Sequence, residues 1–127
     1  MTLKALCLGA VVAAAIAAPA LAHHSFAMFD NEKTVSLQGT VKEFEWSNPH
    51  AWMDVVVDAN GASQDWAFEM ASPLQLVSHG WKKDSVKPGD RITIQAHPLK
   101  DGTHGGSYVS ITLPSGQVLG QARPAGG

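Results

Sequence analysis

Val35-Ser36-Leu37-Gln38-Gly39-Thr40-Val41-Lys42-Glu43-Phe44-Glu45-Trp46 is the stretch on which the fold turns. Val35, Leu37, Gly39 and Val41 alternate with polar neighbours, and the apolar set then shifts phase to Phe44 and Trp46. Alternation with period two marks a half-buried strand. A phase shift beside a mid-strand glycine marks one that is long, bent and bulged.

Ser47-Asn48-Pro49-His50 breaks this strand, because Pro cannot donate to a ladder and Asn-Pro favours a turn. A second strand is expected from Ala51 to Asp58, a hairpin at Asp58-Ala59-Asn60-Gly61, and a third strand from Gln64 to Met70. A short helix should follow, with Ser72 as its N-cap, Pro73 in its first turn, Leu74 and Val77 as its buried stripe and Gly80 as its stop. Trp81 is expected to fold back on it. Lys87-Pro88-Gly89-Asp90 reads as a turn into a fourth strand, Arg91 to His97. Asp101 to Gly106 reads as a flexible glycine loop, Tyr108 to Leu113 as a fifth strand, and the tail from Gln117 as frayed.

Strand, strand, strand, helix, strand, strand is the order of an OB-fold, a five-stranded Greek-key barrel. The expected fold is therefore all-β, an OB-fold-like barrel with one short helix between strands three and four. Leu37, Val41, Phe68, Ile92, Ile94 and Ile111 should be buried together.

Upstream, Lys4, an alanine-rich apolar run and the small-x-small site Ala20-Leu21-Ala22 read as a signal peptide cut after Ala22. The run is too short and too rich in alanine for a lasting membrane span. The reading divides the chain into a signal peptide (1–22), an N-terminal arm (23–34), a barrel domain (35–114) and a flexible C-terminal tail (115–127). It sends the mature protein to the periplasm or the medium. The arm carries Phe26, Met28 and Phe29, too apolar for a free tail, and is expected to dock.

Cys7, the only cysteine, leaves with the signal, so the mature chain has no thiol, disulfide or Cys-ligated metal. Lys4 is the only charged side chain in 1–22; without it 8 basic residues face 11 acidic ones, a formal balance of −3. Nucleic acid is not the expected partner, because phosphate tracking needs clustered Lys and Arg. A protein or small-molecule partner is left unspecified.

His23-His24-Ser25-Phe26-Ala27-Met28-Phe29-Asp30, Gly39-Thr40-Val41, Trp46-x-Asn48-Pro49-His50-x-Trp52, Trp66-x-x-Glu69, Gly80-Trp81 and Lys87-Pro88-Gly89-Asp90, in that order, resemble the small exported bacterial proteins grouped as domain of unknown function 6152. The resemblance covers nearly the whole mature chain up to Leu113. It implies an exported single domain and brings no activity with it.

Cleavage after Ala22 makes His23 the first residue, and an N-terminal His chelates a metal through its free amine and its own Nδ1. One further imidazole, from His50 or His104, would complete a T-shaped three-nitrogen brace, with His24 competing through its backbone amide. Copper(II) is the expected ion, since nitrogen ligands suit it and it tops the divalent series. The plain alternative is that His23 and His24 are only a polar start to the chain. His50 on its turn could equally bond a backbone carbonyl, and His104 could simply be solvated. His79 reads as a helix C-terminal cap and His97 as structural.

Glu69 is the one carboxylate set among apolar residues, either a general base or an edge group bonded to backbone amides. Trp46, Asn48, Trp52, Trp66 and Glu69 form a candidate ligand-binding set beside the first turn, although most of the tryptophans should be core. There is no His-Glu-x-x-His, nucleophile elbow or phosphate loop, so an enzyme is not expected. Three classes stay open: a copper-binding exported protein, a non-catalytic module holding a protein, glycan or small ligand on an aromatic face, and an enzyme.

Overall fold

The computed structural model describes residues 26–120. The expected signal peptide, His23, His24 and the last seven residues of the tail lie outside the described residues. A 3-10 turn at Phe26–Met28 precedes β1 (Val35–Glu45), β2 (Trp52–Ala59), β3 (Ala62–Glu69), α1 (Pro73–Val77), β4 (Arg91–Pro98), β5 (Gly105–Thr112) and β6 (Val118–Gly120). The sheet order is β3-β2-β1-β4-β5-β6, and parallel pairing of β3 with β5 closes the first five strands into a barrel. This is the OB-fold arrangement, with its single short helix between β3 and β4.

β1 does what its phase shift requires. Its first half pairs with β4 from Val35↔Ala96 to Thr40↔Arg91, its second half pairs with β2 from Gly39↔Val57 to Glu45↔Trp52, and the register slips between Val41 and Glu43. The slip at Lys42 keeps Val41 and then Phe44 turned inward on a single bent strand. Gly39 lies where the two ladders overlap. A Cβ there would sit 2.7 Å from Val55 Cγ1 and collide with the Val56 carbonyl, so the bend needs a residue without a side chain. Gly39→Ala is expected to cost about 1–3 kcal/mol through overpacking. Urea unfolding should show a lower midpoint at unchanged slope; an unchanged midpoint would mean that the bend tolerates a side chain.

Val41, Phe68, Ile92, Ile94 and Ile111 are buried in one cluster with Met53, Val55, Val57, Trp81 and Tyr108. Leu37 departs from expectation and is only partly buried against that cluster. It precedes the stretch of β1 that reaches β2, so one flank of its side chain has no neighbouring strand.

The helix forms as capped but buries a different residue. Gln75 N donates to Ser72 Oγ and Ser72 N to Gln75 Oε1, a capping box with Pro73 in the first turn. Leu76 is buried, whereas Leu74 and Val77 are 82 % and 56 % exposed. The cause lies at the other end. Trp81 N donates to Leu76 O and Gly80 N to Val77 O, the bonds of a Schellman ending, whose apolar contact joins the residues corresponding to Leu76 and Trp81. A helix of five residues has room for one inward side chain, and that ending selects Leu76.

Two further expectations are corrected. Asp101 to Gly106 is not a slack loop: Asp101 Oδ1 accepts from Thr103 Oγ1 at 2.6 Å and from Thr103 N at 2.9 Å, bonds that hold its carboxyl below the usual range. Gly105 and Gly106 already belong to β5, and a Cβ on Gly106 would lie 2.7 Å from the His97 carbonyl oxygen. Glycine serves close approach at the barrel's closure rather than freedom. The tail is not frayed at its start either, because a turn bonded Gly116 N to Leu113 O returns the chain as β6 and buries Leu119.

Candidate functional site

The tryptophans sort first. Trp46 meets Phe44 edge-on at 5.8 Å, Phe44 meets Trp81 at 5.8 Å, and Trp81 meets Tyr108 edge-on at 5.5 Å, an aromatic series that runs into the core. Trp66 lies near-parallel to Phe68 at 5.9 Å and to His104 at 5.2 Å, and its Nε1 donates to Gln64 Oε1. Trp46 and Trp66 thus pack against the core as parts of the fold. Trp52 differs, because β2 turns Met53, Val55 and Val57 inward and Trp52 outward.

Residues paired across neighbouring strands face the same side. The register therefore lays Glu45, Trp52, Glu69, Ser107 and His97 in one row across the outside of β1, β2, β3, β5 and β4. Glu69 lies in the middle of that row, yet it is only 7 % exposed.

What meets Glu69 is His50. The turn before β2 carries a cis Asn48–Pro49 peptide, with Asn48 exposed, and Ser47 Oγ donates to His50 O. Ala51 N donates to Ala71 O and Met70 N to Ala51 O, which fastens the turn to the end of β3. His50 Nδ1 lies 2.8 Å from Met70 O, and Nε2 lies 3.6 Å from Glu69 Oε1. A carbonyl can only accept, so Nδ1 carries the proton in that bond. A neutral ring then offers a bare Nε2 to the carboxylate, and the pair is complementary only with a proton or a cation between them. Glu69 Oε2 is buried with no hydrogen-bond partner. The expected alternative of a carboxylate satisfied by backbone amides therefore fails for this oxygen.

His104 lies elsewhere. It is exposed, its carbonyl accepts from Ala67 N, and its ring helps line a shallow pocket of about 170 Å³ with Lys42, Asp54, Asp65 and Trp66. Lys42 Nζ is 3.3 Å from Asp65 Oδ2 beside it. His104 is level with Ala67 along β3 and His50 with Met70, so the fold does not bring the two together. Among the described residues no three His, Asp or Glu side chains converge as a ready metal cage.

The other histidines fill structural places. His79 Nδ1 lies 3.1 Å from Gln75 O at the helix end, and His97 Nδ1 lies 2.7 Å from Lys33 O and ties down the arm. The arm docks through Phe29, which is buried and bridges to Leu99, with Asp30 N donating to Pro98 O and Lys100 N to Met28 O, whereas the Met28 side chain, expected to dock, is exposed. Two parts of the site, the Met70 carbonyl and Ser107, carry no signal in the sequence, because only the strand register places them.

These features define a small OB-fold barrel with a buried carboxylate facing an anchored imidazole on its outer surface. The chain belongs to the family of unknown function DUF6152, whose model matches residues 10–108. No curated protein matches it. Among solved structures it is similar to the mitochondrial single-stranded DNA binding protein Rim1 of S. cerevisiae, at 15 % identity and a TM-score of 0.49, over 65 % of this chain and 94 % of that one. Among the described residues no helix is long and apolar enough to cross a membrane.

Proposed function

We propose that the protein is exported to the periplasm and binds a transition-metal ion there, copper(II) by preference, through the mature amino terminus and one barrel imidazole. The observation that carries this reading is the anchoring of His50. A metal-ligating histidine commonly donates its second ring N–H to a carbonyl or carboxylate, which fixes the tautomer and turns the other nitrogen to the ion. The bond from Nδ1 to Met70 O does this and leaves Nε2 turned to Glu69. Cleavage after Ala22 would supply the amine and ring of His23, with His24 adjacent, and copper(II) is the divalent ion such nitrogens hold most tightly.

His104 is the alternative third nitrogen, because the bond from Lys100 N to Met28 O brings the described start of the arm beside its loop. Intact mass of the mature protein, with and without copper(II), tests the reading at once. A chain beginning at His23 that gains one copper supports it; a chain that begins elsewhere, or gains none, overturns it. The exposed Leu74 and Val77 favour a second reading, a non-catalytic module that docks a protein. Trp52, on the outer row of β2, and Trp66, half-buried at the shallow pocket beside His104, are then the aromatic residues nearest such a face.

A further inference from the structure

We propose that Glu69 is a metal ligand, and that Glu69 and His50 together form a two-donor site for a divalent first-row transition ion on the barrel itself. The inference rests on the reading of His50 as a ligand but not on the amino terminus. Three observations converge on it.

The first is burial without a partner. Glu69 is more than nine-tenths buried, and its Oε2 has nothing to bond. A buried carboxylate oxygen left unpaired is costly, and native proteins seldom keep one without a use. The second is the tautomer. With Nδ1 given to Met70 O, a neutral ring turns its Nε2 lone pair to a carboxylate, an arrangement of two acceptors that either a proton or a metal cation reconciles. The third is the span. Ligand bonds of ~2.0–2.1 Å from one ion to an imidazole nitrogen and a carboxylate oxygen put the two donors roughly 3 Å apart at a right angle and about 3.3 Å apart at the tetrahedral angle. The observed 3.6 Å from Nε2 to Oε1 is too long for a hydrogen bond and within a few tenths of an ångström of that bite; an ion held by both carboxylate oxygens would also give the unpartnered Oε2 its partner.

The donor set also states the ligand class. One imidazole and one carboxylate suit divalent ions such as copper, zinc, cobalt or nickel, whereas magnesium and calcium prefer oxygen alone. Two protein donors leave further positions on the ion for water or for the nitrogens of the mature start. Neighbouring side chains support the placement: Trp52 pairs directly with Glu69 across β2 and β3, and Ser107 flanks it from β5.

Copper(II) chloride titrated by calorimetry into four proteins tests this: the mature chain, Glu69→Gln, the mature chain with its His23 α-amine acetylated, and the acetylated chain carrying Glu69→Gln. Glu69→Gln keeps size and shape, and its thermal midpoint shows whether it folds. Glu69→Gln is expected to weaken copper at least ~10-fold in both the mature and the acetylated background. If acetylation abolishes binding and Glu69→Gln leaves the mature affinity unchanged, the amino-terminal reading stands and this inference falls. If Glu69→Gln weakens binding and acetylation does not, this site stands and the amino-terminal brace falls. A second measurement needs no substitution: zinc(II) added to the acetylated chain should shift the His50 Nε2 resonance in long-range 1H–15N spectra. An unmoved Nε2 at saturating zinc would overturn the proposal whatever the variants do.

Discussion

Trp81→Ala is expected to remove about 3–5 kcal/mol of stability, the range for deleting a large buried aromatic side chain. Trp81 is the largest fully buried side chain and packs on Phe44 and Tyr108, where the helix ending drops it into the core. Its Nε1 donates to Tyr108 Oη at 3.1 Å, and that hydroxyl donates to Leu119 O at 2.7 Å, so one hydrogen-bonded chain joins the post-helix turn, β5 and β6. Small domains have roughly 5–15 kcal/mol in total, and the variant should be largely melted by concentrations of urea that leave the parent folded. A midpoint close to the parent's would show that the cavity collapses without cost.

Tyr108→Phe separates the polar part of this arrangement from the packing. It keeps the ring but leaves the Trp81 N–H without its acceptor in a buried place, at an expected cost of about 1–3 kcal/mol. Burial pushes the Tyr108 hydroxyl far above its ordinary value of 10.0, outweighing the Trp81 hydrogen bond, which acts the other way. The sign of the pH effect follows. Above pH 10 the unfolded chain releases this proton while the folded chain keeps it, so the unfolded state binds fewer protons and stability falls as pH rises. The slope approaches ~1.4 kcal/mol per pH unit. Tyr108 is the only tyrosine, so the difference in urea midpoint between parent and Tyr108→Phe should narrow between neutral pH and pH 11. A constant difference would place the hydroxyl in a wetter setting than the structure shows.

The elements that were readable in advance are those whose pattern is local and repeated. β1 announced its bend through the phase shift from Val41 to Phe44, and the register slip falls between Val41 and Glu43, as that shift requires. The hairpin at Asn60 and Gly61 and the turn at Gly89 follow from residues that accept positive φ. The helix face was not readable, because five residues hold less than two turns of periodicity and the Schellman ending at Gly80 decided it instead. Gly105 and Gly106 misled for a related reason: glycine serves both slack loops and tight approaches, and only the parallel pairing of β3 with β5 tells them apart. For the site, Glu69 stood out as a carboxylate among apolar residues, and His50 stood out on its proline turn. Their meeting depends on the bonds between Ala51, Met70 and Ala71, and no local pattern encodes those.

Acetylation of the His23 α-amine is expected to abolish the amino-terminal copper chelate while leaving the barrel's unfolding midpoint unchanged. The chelate needs the α-amine and the ring of the same residue, and acetylation converts that amine to an amide, whereas one added residue would move His24 to the third position and build a new copper chelate there. His23→Ala should weaken binding in the same direction by removing the ring and keeping the amine. His50→Ala and His104→Ala then report which imidazole supplies the third nitrogen. His50 is expected to matter more, because its ring is already fixed by Met70 O and loses little freedom on binding, whereas His104 would have to leave its stack on Trp66 or carry that ring with it. Electron paramagnetic resonance of the copper(II) form reads the nitrogen count directly: the native mature chain should show more equatorial nitrogens than its acetylated form. Equal copper affinity in the native, acetylated and His23→Ala proteins would make the paired histidines no more than a polar start to the chain, and the reading as a protein-docking module would lead.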